Sequence, residues 1–174
     1  MANLVARLTI AGPLALAIVS GLASVSPAHA AACRDTPDVQ ASADPDKNTG
    51  MNGHITQHIL GMRPPQDKDK NGKLLYSQDG KTLFADRSKA QAAWRQYQYI
   101  SSPVGCSGKE AHQSVSLKDL KISSLDAYSC TAADANGECT AKTLYVAKNV
   151  FFAFNNDPTY KWILVTMYPE PLLK

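Results

Sequence analysis

Residues 144–168, LYVAKNVFFAFNNDPTYKWILVTMY, decide the fold. Leu144–Phe154 and Tyr160–Tyr168 are runs rich in β-branched and aromatic side chains, the types that suit a pleated, half-buried surface. Asn155-Asn156-Asp157-Pro158 between them is turn chemistry, so the two runs are expected to fold back as an antiparallel pair. Alternation along the last run puts Thr166 and Tyr168 on one face with Trp162 and Leu164, and Val165 and Met167 on the other.

Upstream, Ser114–Leu120 also alternates and reads as a strand. Asp86–Ile100 is the clearest helix: Asp86 or Ser88 can cap it, Ala90, Ala93, Trp94 and Tyr97 form an apolar stripe, and Ser101-Ser102-Pro103 closes it. Leu74-Leu75-Tyr76 and Thr82-Leu83-Phe84 bracket Gln78-Asp79-Gly80 as a hairpin. Met51, Ile55, Ile59 and Met62 recur at helical spacing, and Pro64-Pro65 must end that helix. Helices followed by an antiparallel sheet make an α+β domain, expected over residues 51–174. Residues 31–50 are polar and rich in Asp and Pro, either a leader ordered by a disulfide or a plain tail.

The first thirty residues carry a single charge, Arg7, followed by a weakly polar run from Leu8 to Val25 and then Ser26-Pro27-Ala28-His29-Ala30. A basic start, an apolar middle and small residues at Ala28 and Ala30 predict a secretory signal peptide cut after Ala30; the small-residue site argues against an anchor helix. Cutting there takes the chain from 174 residues and a net charge of +3 to 144 residues and +2. A balance that small excludes binding to nucleic acid by bulk charge alone. No other apolar stretch approaches the roughly 20 residues that span a bilayer, so the expected product is secreted or periplasmic, free of the membrane once cut.

Export governs the reading of Cys33, Cys106, Cys130 and Cys139. An even count in an oxidising compartment predicts disulfides. Asn136-Gly137 is a strong tight-turn pair between Cys130 and Cys139, which favours Cys130–Cys139 and leaves Cys33–Cys106. Zinc is the alternative, but no pair has the CxxC spacing.

Chemistry could sit in three places. His54 and His58 are four apart, on one face if helical, and such a pair can bind a metal or supply acid–base groups; equally, one imidazole packs and the other is solvated. Ile55 after the first His excludes the zinc-protease motif, which needs Glu there. Asp67–Gln78 follows the start of a calcium loop but has Gln78 in place of the bidentate Glu, and Lys68, Lys70 and Lys73 dilute its charge, so a solvated turn explains it as well. On the last strand, the Thr166 and Tyr168 hydroxyls could hold a phosphate oxygen or donate a proton; as isolated residues they are ordinary β-formers.

In order along the chain, these pieces resemble one family. Asn52-Gly53-His54-Ile55-Thr56-Gln57-His58-Ile59 resembles a Gly-His-x-x-x-x-His-Val opening helix shortened by one residue. Residues 82–93, TLFADRSKAQAA, resemble its Ser-x-Phe-x-Asp-x-x-x-Ala-x-x-Ala strand-to-helix step. Val150–Phe154 with Ile163–Pro169 resembles its closing hairpin, which ends in Thr-x-Tyr-Pro. The family is the bacterial ribonuclease A-like toxin domain, found at the C-terminus of contact-dependent growth inhibition proteins, and the resemblance spans roughly residues 50–170.

The resemblance implies a two-lobed, ribonuclease A-like α+β architecture and an endoribonuclease without metal or cofactor. Such an enzyme cleaves RNA by attack of the ribose 2′-hydroxyl, leaving a 2′,3′-cyclic phosphate. Carried over by motif, the catalytic set is His58, Thr166 and Tyr168, with His54 able to share the acid–base work. The family also uses an Arg in a Leu-rich helix after the His. That helix is replaced here by Arg63-Pro64-Pro65 and the Asp/Lys loop, so Arg63 is the nearest candidate, with Arg87 and Lys73 behind it as substrate-binding cations. The implied partners are RNA and a cognate immunity protein, and the chain is expected to act as a monomer. The family's toxins ride on very large delivery proteins and usually lack disulfides, whereas this chain carries its own expected signal and four Cys. The alternative is a non-catalytic secreted or periplasmic binding or inhibitor protein on the same fold.

Overall fold

Asp86 begins the 11-residue helix Arg87–Tyr97 (α3), its carboxylate accepting from the Lys89 backbone N–H at 3.0 Å and from the Ser88 hydroxyl at 2.6 Å. The Ser88 hydroxyl, ahead of the backbone donors, holds the Asp86 carboxyl below its ordinary range. The buried stripe is the expected one, Ala90, Ala93, Trp94 and Tyr97. It packs on the sheet beneath, with the Tyr97 ring 4.2 Å from that of Phe152. The structure, a computed structural model, describes residues 30–171; apart from Ala30, the expected signal peptide lies outside the described residues.

Six strands form two antiparallel sheets among the described residues. One holds Glu110–Ser116 (β2), Asn149–Asp157 (β5) and Lys161–Glu170 (β6), in the order β2-β5-β6. The other holds Thr82–Phe84 (β1), Asp126–Ala133 (β3) and Cys139–Val146 (β4), in the order β1-β3-β4. The fold is therefore α+β. The expected pair of runs at the C-terminal end is the β5–β6 hairpin, but its turn comes later than read. Asp157 is still strand, and its side chain accepts from the Thr159 and Tyr160 N–H groups at 2.8 and 3.0 Å. The run Leu144–Phe154 is split by Ala147-Lys148, whose N–H groups turn to Leu125 O and Glu170 O, so its two halves belong to different sheets. The Tyr145 hydroxyl ties the sheets together by donating to Pro169 O at 2.8 Å.

Two local readings are corrected. Leu74–Tyr76 does not pair with Thr82–Phe84; β1 pairs with β3 instead, in the register Leu83↔Tyr128. Residues 51–62 are not a helix. Asn52 sits in the left-handed region (φ 64°), and only single 3-10 turns form, at Thr49–Met51 and Ile55–His58. Gly and β-branched residues are weak helix formers, and here a side chain, Asn48, takes the Ile55 N–H at 2.7 Å that a helix would have used. Of the two readings of residues 31–50, the structure shows the segment ordered by a disulfide, through Cys33–Cys106, and not a plain tail. Pro37–Ser42 (α1) lies against β6, Pro45–Asn48 (α2) packs on α1 and reaches β6 through the Asn48 side chain, and Cys33, Val39 and Ala43 are in the main core.

Cys33 is bonded to Cys106, tying this N-terminal segment to the body across 73 residues, and Cys130 to Cys139 across the β3–β4 turn. Two such bonds fit an oxidising compartment. No helix among the described residues is long and apolar enough to cross a membrane.

Candidate active site

A β-bulge in β6 builds the site. The β5–β6 register runs Ala153↔Thr166 and then Phe154↔Leu164, which leaves Val165 as the extra residue. Strict alternation fails there: Leu164 and Met167 both enter the core, while Thr166 and Tyr168 share the opposite face. The backbone groups freed at the bulge turn to the N-terminal segment. Leu164 N–H donates to the Ser42 hydroxyl at 2.8 Å, Leu164 O accepts from Asn48 Nδ2 at 2.7 Å, and Val165 O accepts from His54 N–H at 2.8 Å. Asn48 is fully buried and also donates to Ser42 O at 2.7 Å. It therefore clamps the 54–58 segment onto β6. Gly53 is obligatory beside it, because a Cβ there would stand 2.3 Å from the Asn48 side-chain amide.

The same segment runs along β1, with Leu60 N–H donating to Phe84 O at 3.0 Å. This sets the His58 Nδ1 2.8 Å from Thr82 O. A carbonyl only accepts, so Nδ1 carries the proton and the neutral ring keeps Nε2 as a lone-pair base. The C-terminal carbonyls of this stretch are held by Gln78, 1 % exposed, whose Nε2 donates to Thr56 O, Ile59 O and Met62 O at 3.2, 2.9 and 3.0 Å. Gln78 Oε1 accepts from Cys139 N–H at 2.8 Å. The last position of the calcium-like loop thus points into the fold, and Asp69 spends its carboxylate on the Asn71 and Lys73 N–H groups of a turn, at 2.8 and 2.9 Å.

His54, His58, Thr166 and Tyr168 line one cleft of about 370 Å³, together with Gln57, Lys81 and Thr82. The imidazole centroids are 6.4 Å apart. His58 stacks on Tyr168 at 4.9 Å and His54 on Tyr76 at 5.0 Å. Burial lowers both histidines to about 4; the Lys81 charge adds to this at each, while the hydrogen bond to Thr82 partly offsets it at His58. Burial, and then Glu170, raise the Tyr168 hydroxyl. Thr166 is 7 % exposed, and its hydroxyl oxygen, itself buried, has no hydrogen-bond partner among the described residues. A buried hydroxyl left without a partner in a residue that lines a cleft keeps its O–H uncommitted within the fold.

The cations expected from the sequence are elsewhere. Arg63 binds Asn136 Oδ1 at 2.8 Å and lies 3.9 Å from the Glu138 carboxylate. Arg87 spans Asp44 and Asp46 at 2.9 and 2.7 Å, pinning α3 to α2. Lys73 is exposed in the Asp69 turn. The cation of the cleft is Lys81, which stands immediately before the matched Thr82-Leu83-Phe84 stretch. That adjacency was its only signal, since its approach to the histidines depends on residues 54–60 lying beside β1.

The chain matches no family model, no curated protein and no solved structure. Among the described residues no group of three or more His, Cys, Asp and Glu side chains is gathered as metal ligands.

Proposed function

We propose that this chain is an endoribonuclease that cleaves by 2′-hydroxyl transphosphorylation, on a ribonuclease A-like architecture, and that it is exported by a signal peptide over residues 1–30 to work in the periplasm or outside the cell. The observation that carries this reading is the meeting, in one cleft, of a tautomer-locked imidazole, an unpartnered Thr hydroxyl, a second imidazole and a lysine. Transphosphorylation needs those four services: a base, a phosphate-oxygen donor, an acid and a cation.

His58 Nε2 takes the proton of the 2′-hydroxyl, and the 2′-oxygen forms its bond to phosphorus. The bond from phosphorus to the 5′-oxygen breaks, and that oxygen leaves with a proton from His54. The Thr166 hydroxyl and the Lys81 ammonium hold the non-bridging oxygens of the phosphorane, and Tyr168 buttresses the His58 ring and donates its hydroxyl to the same phosphate. Both imidazoles are neutral in the free protein at neutral pH. An anionic phosphodiester between them favours one imidazolium, and the charge once on His54 holds His58 neutral, so substrate binding readies the acid without disarming the base. The reading also carries a cognate immunity protein as partner, for a toxin that must be silenced inside the producing cell.

The test is cleavage of mixed tRNA and rRNA by the oxidised protein in excess chelator, with analysis of the ends. Cyclic phosphate and 5′-hydroxyl termini are expected. Folded, oxidised protein that leaves these RNAs intact would favour the non-catalytic binding protein.

A further inference from the structure

A second cavity, of about 550 Å³, adjoins the cleft and shares Thr82 and Tyr168 with it. Its other walls include Ser114, Lys148, Asn149 and Glu170, from β2, β5, β6 and the β4–β5 turn. Tyr168 lies between His58 and its cross-strand neighbour Phe151, each ring 4.9 Å away, so it turns its edge and hydroxyl to the shared wall. Glu170 is out of place in a cleft for a polyanion, because it repels phosphate. It is held toward the cavity by the Ser114 hydroxyl, which donates to its Oε2, and Lys148 stands beside it, donating its backbone N–H to Glu170 O at 3.0 Å. A carboxylate there favours a ligand with paired N–H donors. Among the bases guanine alone presents two adjacent donors, N1–H and N2–H, next to an acceptor, O6. Adenine and cytosine present one amino group beside a ring acceptor, and uracil one N–H between two acceptors.

We propose that this cavity is a guanine subsite, with the base beside Tyr168, its N1–H and N2–H on Glu170 and its O6 on Lys148. Resting on the ribonuclease reading, the inference also fixes the direction of the strand. The cavity adjoins Thr82 and Tyr168, which touch His58, and not His54. The base it holds therefore belongs to the nucleoside whose 2′-hydroxyl faces His58, and cleavage falls on the 3′ side of guanosine.

The experiment is calorimetric titration of the oxidised protein with the four nucleoside 3′-monophosphates and with inorganic phosphate, for the parent, Glu170→Gln, Ser114→Ala and His58→Asn, alongside mapping of cut sites on a mixed-sequence RNA. Guanosine 3′-monophosphate should bind about tenfold or more tighter than the other three. Glu170→Gln should bring it level with them while leaving inorganic phosphate unchanged or tighter. Ser114→Ala should lose part of the preference, and His58→Asn should keep it. Equal affinity for the four nucleotides, or a guanine preference that Glu170→Gln leaves intact, would overturn the proposal. Selective guanine binding without cleavage would sink the ribonuclease reading alone, and cleavage with no base preference would sink the subsite alone.

Discussion

The Nδ1 of His58 and the carbonyl oxygen of Thr82 are 2.8 Å apart, and this one contact fixes both the tautomer and the direction of the ring. Because β1 and the 54–60 segment are held parallel by the Ile59↔Phe84 bridge, the imidazole is oriented by backbone rather than by another titratable group. Orientation therefore survives pH changes that would disarm a carboxylate.

The two cleft histidines set an acid limit on stability. Each ring has a folded-state value lowered to about 4 from an ordinary 6.5. Between those values the unfolded chain binds more protons than the folded one, so stability rises with pH through the window. Their contribution is complete above about 6.5 and is lost as pH falls through 4. Urea midpoints taken from pH 7 down to pH 4 should fall steadily, and His58→Asn should flatten the slope.

Phosphate and protons should bind cooperatively. An anion in the cleft favours both imidazolium forms, so millimolar inorganic phosphate should move the His54 and His58 titrations upward when followed by the ring proton resonances. By linkage, phosphate should bind more tightly at pH 5 than at pH 8. Titrations that do not respond to phosphate would remove the anion from between the rings.

Lys81 should act on both rings and on the rate. Its charge lowers both histidines, so Lys81→Ala should raise both ring values while slowing cleavage by about 10- to 100-fold through lost stabilisation of the phosphorane. Lys81→Arg should restore most of the rate. Arg63→Ala and Arg87→Ala should leave the rate within about twofold, since both guanidiniums are engaged outside the cleft.

Asn48 and Gly53 should behave as one unit. Asn48→Ala strips partners from Ile55 N–H, Leu164 O and Ser42 O, all buried, and should cost about 2–3 kcal/mol. Gly53→Ala should cost a similar amount by pushing the same amide away. The double variant should be clearly less destabilised than the sum of the two, because the second change removes what the first has already broken. Chemical denaturation of the four proteins closes that cycle.

The disulfides should differ in worth. Loop closure over a separation of 73 residues gives Cys33–Cys106 about 4 kcal/mol, and a separation of nine gives Cys130–Cys139 about 2.5 kcal/mol. The paired Ser variants, measured by urea unfolding, should preserve that order.

Where the determinants are local, the sequence was legible. Asp86 and the stripe through Tyr97 announce α3, and the β5–β6 hairpin follows from two β-forming runs around a turn. His54 and His58 stand out by their spacing and Thr166 and Tyr168 by alternation on the last strand, and all four line one cleft. What could not be read was long-range. The bulge at Val165 depends on donors and acceptors from Ser42, Asn48 and His54, more than one hundred positions upstream. The apolar period from Met51 to Met62 suggested a helix because Ile55 and Ile59 are both buried, yet the backbone between them is held by Asn48 and Gln78 side chains instead. Lys81 was missed for the same reason, since an exposed lysine acquires meaning only from its neighbours in space.

The measurement that bears most directly on the central claim is RNA cleavage by the oxidised protein in excess chelator, compared with His58→Asn and Thr166→Val. The Asn side chain can still donate to Thr82 O but has nothing in place of Nε2, and Val keeps the shape of Thr without its hydroxyl. The account predicts chelator-resistant cleavage that His58→Asn lowers by about 10²- to 10⁴-fold and Thr166→Val by at least tenfold, with both variants folded. Cleavage that is undiminished in either variant, or abolished by the chelator, would contradict it.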